Sequence, residues 1–317
     1  MSNKTDFVTE NGELKSYVGK DTKVIIPEGV VSLGKFCFED SNVEQIVVPS
    51  TVQNIEAVAF LETPNLQSIV VDEKNTTYCS VDGCLYSKDK TKFICCPNRN
   101  TPLYIADGCE SIERCAFFQR KVAKVVFPQS IKRLQLTSLA NCFFDADEMV
   151  IPQVEFCWGE WFNATILPPR VVLQGFTTLP AGAFSYSRFG SMRLPDTLVE
   201  IEAWAFAYCN MSRVYVPKSV VKIAEDVFVA ERIRAEIDVE EFYDPTEGCG
   251  LYDDEFEQVE TAPQEHTQPC PDGFVLGVDS EDSCAAQYAR EHNIPYQVVS
   301  DIQDFLNVPL PIGLSKI

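Results

Sequence analysis

Apolar residues return along this chain with a fixed period. Val24-Ile25-Ile26-Pro27 recurs as Ile46-Val47-Val48-Pro49, while Leu33 and Phe38 recur as Ile55 and Phe60, each 22 residues on. The same offset relates Met192-Arg193-Leu194-Pro195 to Val214-Tyr215-Val216-Pro217, Ile201 to Ile223 and Phe206 to Phe228. Between these lie Val125-Val126-Phe127-Pro128 and Met149-Val150-Ile151-Pro152. Weaker copies are Ile69-Val70-Val71-Asp72, Leu103-Tyr104-Ile105-Ala106 and Val171-Val172-Leu173-Gln174. A repeat this short cannot bury its own apolar face, and stacking closes the core. The apolar alternation ahead of each proline predicts a short strand with every second side chain inward. Proline ends the strand because it has no N–H for the ladder. The dyads Ala59-Phe60, Ala116-Phe117, Ala183-Phe184 and Ala205-Phe206 each set a small residue beside a large core plug. Cys142 and Cys209 follow the plug positions Leu139 and Phe206 by three residues and read as buried packing residues.

The unit is roughly φ-x-φ-P-x-x-φ-x-x-φ-x-x-x-A-F-x-x-C, with φ apolar. Ile26-Pro27-Glu28-Gly29-Val30-Val31-Ser32-Leu33-Gly34 and Ser130-Ile131-Lys132-Arg133-Leu134 follow it closely. In these residues the chain resembles the BspA-type leucine-rich repeat of bacterial proteins, over about residues 10–240. Asn11–Gly19 resembles the segment that begins such arrays, and Tyr78–Thr91 the hairpin inserted between their units. Gly273–Tyr296 resembles their closing segment. The resemblance implies a right-handed leucine-rich-repeat solenoid. Its short parallel strands form one curved sheet, with turns or short helical pieces opposite. It also implies adhesion or partner binding, since some such proteins act at the bacterial surface and bind host extracellular proteins.

The expected organisation is an N-terminal capping segment over 1–22 and the solenoid over 23–240, with the hairpin insertion at about 73–102. An acidic linker or irregular final coil over 241–271 and a C-terminal cap and tail over 272–317 follow. In the cap a strand, a helix at about 282–292 and a second strand are predicted, with Asp282 or Ser280 capping the helix and Ala285, Tyr288 and Ala289 as its apolar stripe. An irregular coil is expected over 139–175, where Leu139 and Asn163 hold plug positions and Trp158-Gly159-Glu160-Trp161-Phe162 breaks the pattern.

Charge changes the picture locally. The formal net charge is -21, from 47 acids against 26 bases, which argues against a general nucleic-acid binder. Ala235 to Ala289 holds 16 of those acids and no lysine or arginine. No apolar run of about 18 residues predicts a membrane span, and Met1-Ser2-Asn3-Lys4-Thr5-Asp6 does not start a leader. The expectation is a cytoplasmic protein, with a secreted or cell-surface one as the alternative implied by the resemblance.

Candidate chemistry is sparse. Among the 13 cysteines there is no C-x-x-C, so no zinc ribbon or thioredoxin-type motif is expected. Across the turn Asp82-Gly83, Val81 faces Cys84 and Cys79 faces Tyr86. Cys79 and Cys84 are then diagonal, which is poor disulfide geometry. His266 and His292 lack catalytic neighbours, with His292 suited to a helix C-terminus. No G-x-S-x-G, H-E-x-x-H or phosphate-binding loop occurs. Asp253-Asp254-Glu255 with Glu257 lacks calcium-loop spacing and reads as a solvated run. The sequons at Asn75, Asn163 and Asn210 are read as unused. No catalytic residue, metal site or cofactor is predicted.

The strand face carries more. If residues one and three before proline point inward, those two and four before it point outward on the concave side. The first outward column is Ile25, Val47, Val70, Tyr104, Val126, Val150, Val172, Arg193 and Tyr215, apolar for a solvated face. The second includes Lys23, Lys124, Arg170 and Arg213 against the single acid Glu148. One reading is β-propensity with solubilising charge. The other is a partner-binding face, with Tyr104, Arg193 and Tyr215 as anchors. The expected function is a noncatalytic recognition or adhesion-type scaffold for a protein partner, host or bacterial, with no nucleic acid and no membrane insertion. Alternatives are an intracellular scaffold or a homodimer using the same face, and a metal-binding or enzymatic module.

Overall fold

The computed structural model describes residues 4–135, 137–156, 162, 164–229 and 273–307, and forms two compact units, residues 1–176 and 177–317. Each is a stack of parallel strands in the predicted register. In the first unit, Lys23–Ile25, Gln45–Val48 and Ser68–Val71 pair side by side, with Lys23 opposite Gln45. Leu103–Tyr104 pairs with Val125–Val126, and Glu148–Ile151 with Arg170–Leu173 at an offset of 22 residues. In the second unit Ser191–Arg193, Arg213–Val216, Val275–Val278 and Tyr296–Val298 form one parallel run.

Beyond that sheet the structure adds a second ladder of two-residue strands after the bends that end the first. It includes Ser32–Leu33 with Asn54–Ile55, Ser111–Ile112 with Arg133–Leu134, and Glu200–Ile201 with Lys222–Ile223. The P-x-x-φ spacing explains the bend between the ladders. The proline carbonyl accepts from the N–H of the apolar residue three on, as in Val30 to Pro27, Val52 to Pro49, Ile131 to Pro128 and Leu198 to Pro195. Hydroxyls tie successive bends together. Thr51 accepts from Gly29 N–H (3.2 Å) and donates to the Val30 carbonyl (2.7 Å), and Ser130 does the same with Gly108 and Cys109.

The plug turns have their own backbone rule. The residue two after the plug is left-handed in Asp40, Glu62, Gln119, Asn141, Tyr186 and Tyr208, with φ between 52° and 60°. So is the residue two before it in Phe36, Cys115, Thr137 and Trp204, where the coil of Phe184 uses Gly182. This conformation costs a non-glycine residue about 1–2 kcal/mol. The turns offset that cost through inter-coil hydrogen bonds, such as Phe117 N–H to Ser138 O and Phe206 N–H to Val227 O, both 3.0 Å. The plugs themselves form aromatic spines. Phe38 and Phe60 stack at 6.0 Å, and Phe93 and Phe117 at 5.0 Å. In the second unit Phe184, Phe206 and Phe228 stack at 5.6 and 5.3 Å.

Leu139 fills its plug position fully buried, and the strand register on either side of it is kept. The predicted irregularity at Trp158, Gly159, Glu160, Trp161 and Asn163 lies outside the described residues, as does the acidic 241–271 segment with His266. Cys142 and Cys209 are buried, and their thiols donate to the Phe117 and Phe184 carbonyls at 2.8 Å. Asn75 is buried and donates to the Pro49 and Val52 carbonyls while accepting from Thr77 and Tyr78 N–H, so this sequon has no room for a glycan.

Tyr78–Val81 and Cys84–Ser87 form the antiparallel hairpin with the predicted register. A second antiparallel strand, Lys92–Cys95, returns beside it and joins the second ladder at Ser111–Ile112. Asp89 organises the turn between them. Its carboxylate accepts from the Ser87 hydroxyl (2.6 Å) and from the N–H and hydroxyl of Thr91 (3.0 and 2.8 Å), which hold its pKa down to about 2. A depressed carboxylate stabilises the fold fully above its unfolded value near 4 and loses that contribution as pH falls through about 2. The Thr91 amide shift is therefore expected to titrate near pH 2, and Asp89→Asn should abolish that titration. A midpoint near 4 in the wild type contradicts the assignment.

The C-terminal helix α1 spans Cys284–Glu291 and buries the predicted stripe of Ala285, Tyr288 and Ala289. Its cap is Ser283 rather than Asp282 or Ser280. The Ser283 hydroxyl accepts from Ala286 N–H (3.2 Å) and donates to the Ser280 carbonyl (2.7 Å). His292 caps the C-terminus and stacks on Tyr288 at 4.2 Å. Tyr288 also donates to the Glu225 carbonyl, so α1 closes the apolar end of the last coil at Phe228.

Candidate binding surface

In the first unit the outward column forms as the alternation predicts. Ile25, Val47 and Val70 lie side by side in register, as do Tyr104 with Val126 and Val150 with Val172. Tyr104 is 69% exposed and Ile25 53%; Val70 and Val150 are also exposed, and Val47, Val126 and Val172 are half-buried. Their neighbours one pleat away are Lys23 and Lys124, both exposed, and Arg170, which is ion-paired to its register partner Glu148. The basic column is thus weaker than the sequence suggests, because Arg170 is neutralised across the ladder.

The second unit corrects two of the expected residues. Tyr215 is 2% exposed, not an outward anchor. After the last strand the chain forms a short helix, α2, Ile302–Leu306, capped by Asp301, which accepts from Gln303 and Asp304 N–H. It lays Phe305 and Leu306 against Tyr215 and Val299. Arg213 is taken by the same element, its guanidinium standing 4.9 Å from the Phe305 ring centre. Arg193 is half-buried and pairs with Asp196 at 3.0 Å.

The Tyr215 hydroxyl donates to Asp279 Oδ1 (2.6 Å), and Asp279 also accepts from Lys218 N–H. Burial and then Asp279 push that hydroxyl well above its usual pKa. Gly277, the register partner of Tyr215, admits the helix: a Cβ there would lie 2.6 Å from the Phe305 ring. Sequence reasoning stopped short of α2. The signal was Asp301 ahead of Ile302, Phe305 and Leu306, an N-cap followed by helically spaced apolar residues.

Among the described residues, no three histidines, cysteines or carboxylates are placed to hold a metal ion. The Asp253–Glu257 run lies outside them. No described helix is long and apolar enough to cross a membrane.

A family model for the BspA-type leucine-rich repeat region matches six copies, over residues 16–145 and 160–242. The chain belongs to the BspA-type leucine-rich-repeat family. BspA-type repeats fit a protein-interaction scaffold. Solved structures similar to this BspA-type chain come from bacteria. A leucine-rich repeat protein from Eubacterium ventriosum is 18% identical with a TM-score of 0.49, covering 63% of this chain and 57% of its own. A leucine rich cell surface protein from Faecalibacterium prausnitzii is 25% identical with a TM-score of 0.42, covering 64% and 56%. The pneumococcal vaccine antigen PcpA is 14% identical with a TM-score of 0.48, covering 91% and 71%. This BspA-type chain therefore spans under three-fifths of the length of the first two. No curated protein matches it.

Proposed function

We propose that this chain is a noncatalytic recognition scaffold that binds a protein partner through the strand face of residues 23–173, with adhesion as the form of that function a surface-displayed BspA-type protein would perform. One contrast carries the reading. In the second unit Tyr215 of the outward column is covered by the chain's own α2, whereas Ile25, Val70, Tyr104 and Val150 in the first unit remain exposed. Fully burying such side chains is worth about 1.5–3 kcal/mol each, so a partner covering several of them gains a usable hydrophobic contribution. Lys23 and Lys124 beside the column favour a partner with acidic groups at the rim.

Tyr104→Ala combined with Val70→Glu tests this. Both positions are exposed, so circular dichroism should be unchanged. Quantitative capture from cell and matrix extracts should lose the specific partner, with affinity falling roughly 30-fold, the scale of one hot-spot residue. Identical partner lists and affinities for wild type and variant overturn the proposal. Light scattering on the same pair reads the homodimer reading instead: a dimer that the double variant splits assigns the face to a second copy.

A further inference from the structure

The hairpin insertion brings two cysteines together that lie 12 positions apart in the chain. Strands Cys84–Ser87 and Lys92–Cys95 are antiparallel, with Phe93 opposite Tyr86 and Cys95 opposite Leu85 after a bulge. Continued one step beyond the strand end at Cys95, that register would bring Cys96 across from Cys84. Directly opposed residues in an antiparallel pair have Cα atoms about 4.5–5.5 Å apart, inside the span a disulfide bridges. Both residues are fully buried, and the side chain of Cys96, whose thiol also reaches the Pro97 carbonyl at 3.2 Å, acts on Cys84 as a hydrogen-bonding neighbour. Arg99 supplies a cation: its Nη1 donates to Cys84 Sγ at 3.6 Å while Nη2 holds Asp82 at 2.6 Å. A 330 Å³ cleft lined by Asp82, Gly83, Pro97, Arg99, Ser68 and Thr101 opens beside that guanidinium.

We propose that Cys84 and Cys96 are a redox pair that closes to a disulfide on oxidation by a small peroxide, which reaches the pair along the Arg99 cleft. The environments of the two thiols differ as such a pair requires. The hydrogen bond from Cys96 and the Arg99 charge lower the Cys84 pKa, whereas burial raises that of Cys96. Cys84 is the attacking thiolate. Its sulfur takes one peroxide oxygen and releases hydroxide, which is protonated to water, leaving a sulfenic acid. Cys96 then attacks the Cys84 sulfur; the departing hydroxide leaves as water with the Cys96 proton. Two thiols and one hydrogen peroxide give one disulfide and two waters, with two electrons passing from sulfur to peroxide.

Five of the other described thiols are set apart from this chemistry. Cys37, Cys142 and Cys209 are buried with raised pKa values and bond to backbone carbonyls, and burial holds Cys95 and Cys109 at about 11. Closing the pair would pin the hairpin whose turn covers the edge of the strand ladder, where Ile69 N–H donates to the Gly83 carbonyl at 2.8 Å.

The test uses the full chain under native conditions. Hydrogen peroxide is added, then removed with catalase, and free thiols are alkylated after unfolding. Tryptic mapping is expected to yield the Asn75–Lys88 peptide linked from Cys84 to Cys96 of the Phe93–Arg99 peptide, two mass units lighter than the thiols. Cys95→Ser should keep the link. Arg99→Gln should slow its formation about tenfold, the effect of roughly one pKa unit on the thiolate fraction. Wild-type Cys84 and Cys96 recovered alkylated no less than Cys142, or Cys84 linked to any other cysteine, overturns the proposal without recourse to a variant. An unchanged rate in Arg99→Gln also overturns it.

Discussion

Phe206→Ala is expected to destabilise the 177–317 unit by about 3–5 kcal/mol, the range for emptying a buried phenylalanine site. Phe206 is 1% exposed and stacks between Phe184 and Phe228, so truncation removes two ring contacts and leaves a void in the middle of the spine. Collapse cannot refill it, because the flanking turns are fixed coil to coil by the Phe184 N–H to Ala205 O and Phe206 N–H to Val227 O bonds. Phe206→Leu keeps most of the volume and should cost about 1.5 kcal/mol or less. Chemical denaturation gives the two values, and hydrogen exchange should localise the loss to amides of residues 184–228. A cost below 1 kcal/mol for the alanine variant would show that the spine is not a shared core.

Arg120→Ala should be nearly as damaging, by about 3 kcal/mol, for a different reason. Arg120 is 4% exposed, and its guanidinium donates to the Phe60 carbonyl (2.5 Å), the Thr63 carbonyl (2.9 Å) and the Thr63 hydroxyl (3.2 Å). These partners lie 57–60 residues earlier, on the plug turn that precedes the hairpin insertion. Gln119 adds a bond to Glu62 at 2.7 Å. The arginine therefore joins two plug turns that the insertion separates in sequence. Its loss leaves two carbonyls without that donor in a buried setting, at about 1–3 kcal/mol each, partly offset by no longer burying a charge. Arg120→Lys keeps the charge but loses the planar fork, and should also destabilise the protein. Faster amide exchange at residues 60–63 in either variant locates the effect. Exchange confined to the hairpin in both variants would mean that Arg120 does not join the turns.

Much of this was legible in the chain. The 22-residue offset alone dictated parallel register, because identical apolar positions must stack if each coil is to share a core. The Ala-Phe dyads and the cysteines three residues on declared themselves as buried by recurrence, and Asp82-Gly83 set the hairpin register through its turn type. The outward column of the first unit followed from strand alternation. Each of these is a local or periodic property, and a single chain displays such properties directly.

Contacts between positions unrelated by the period were decided only in three dimensions. Nothing in the pattern of Tyr215 distinguishes it from Tyr104, yet one is covered by Phe305 and the other faces solvent, because the segment after Val299 packs on Tyr215. Arg120 looks like a surface residue until the insertion sets its turn beside Phe60 and Thr63. Cys95 rather than Ile94 stands opposite Leu85 because a bulge shifts the register of one strand. In each case a non-repeating segment chooses which repeat it packs on. Sequence periodicity holds no record of that choice, since it depends on shape and on unpaired groups that exist only once the coils have stacked.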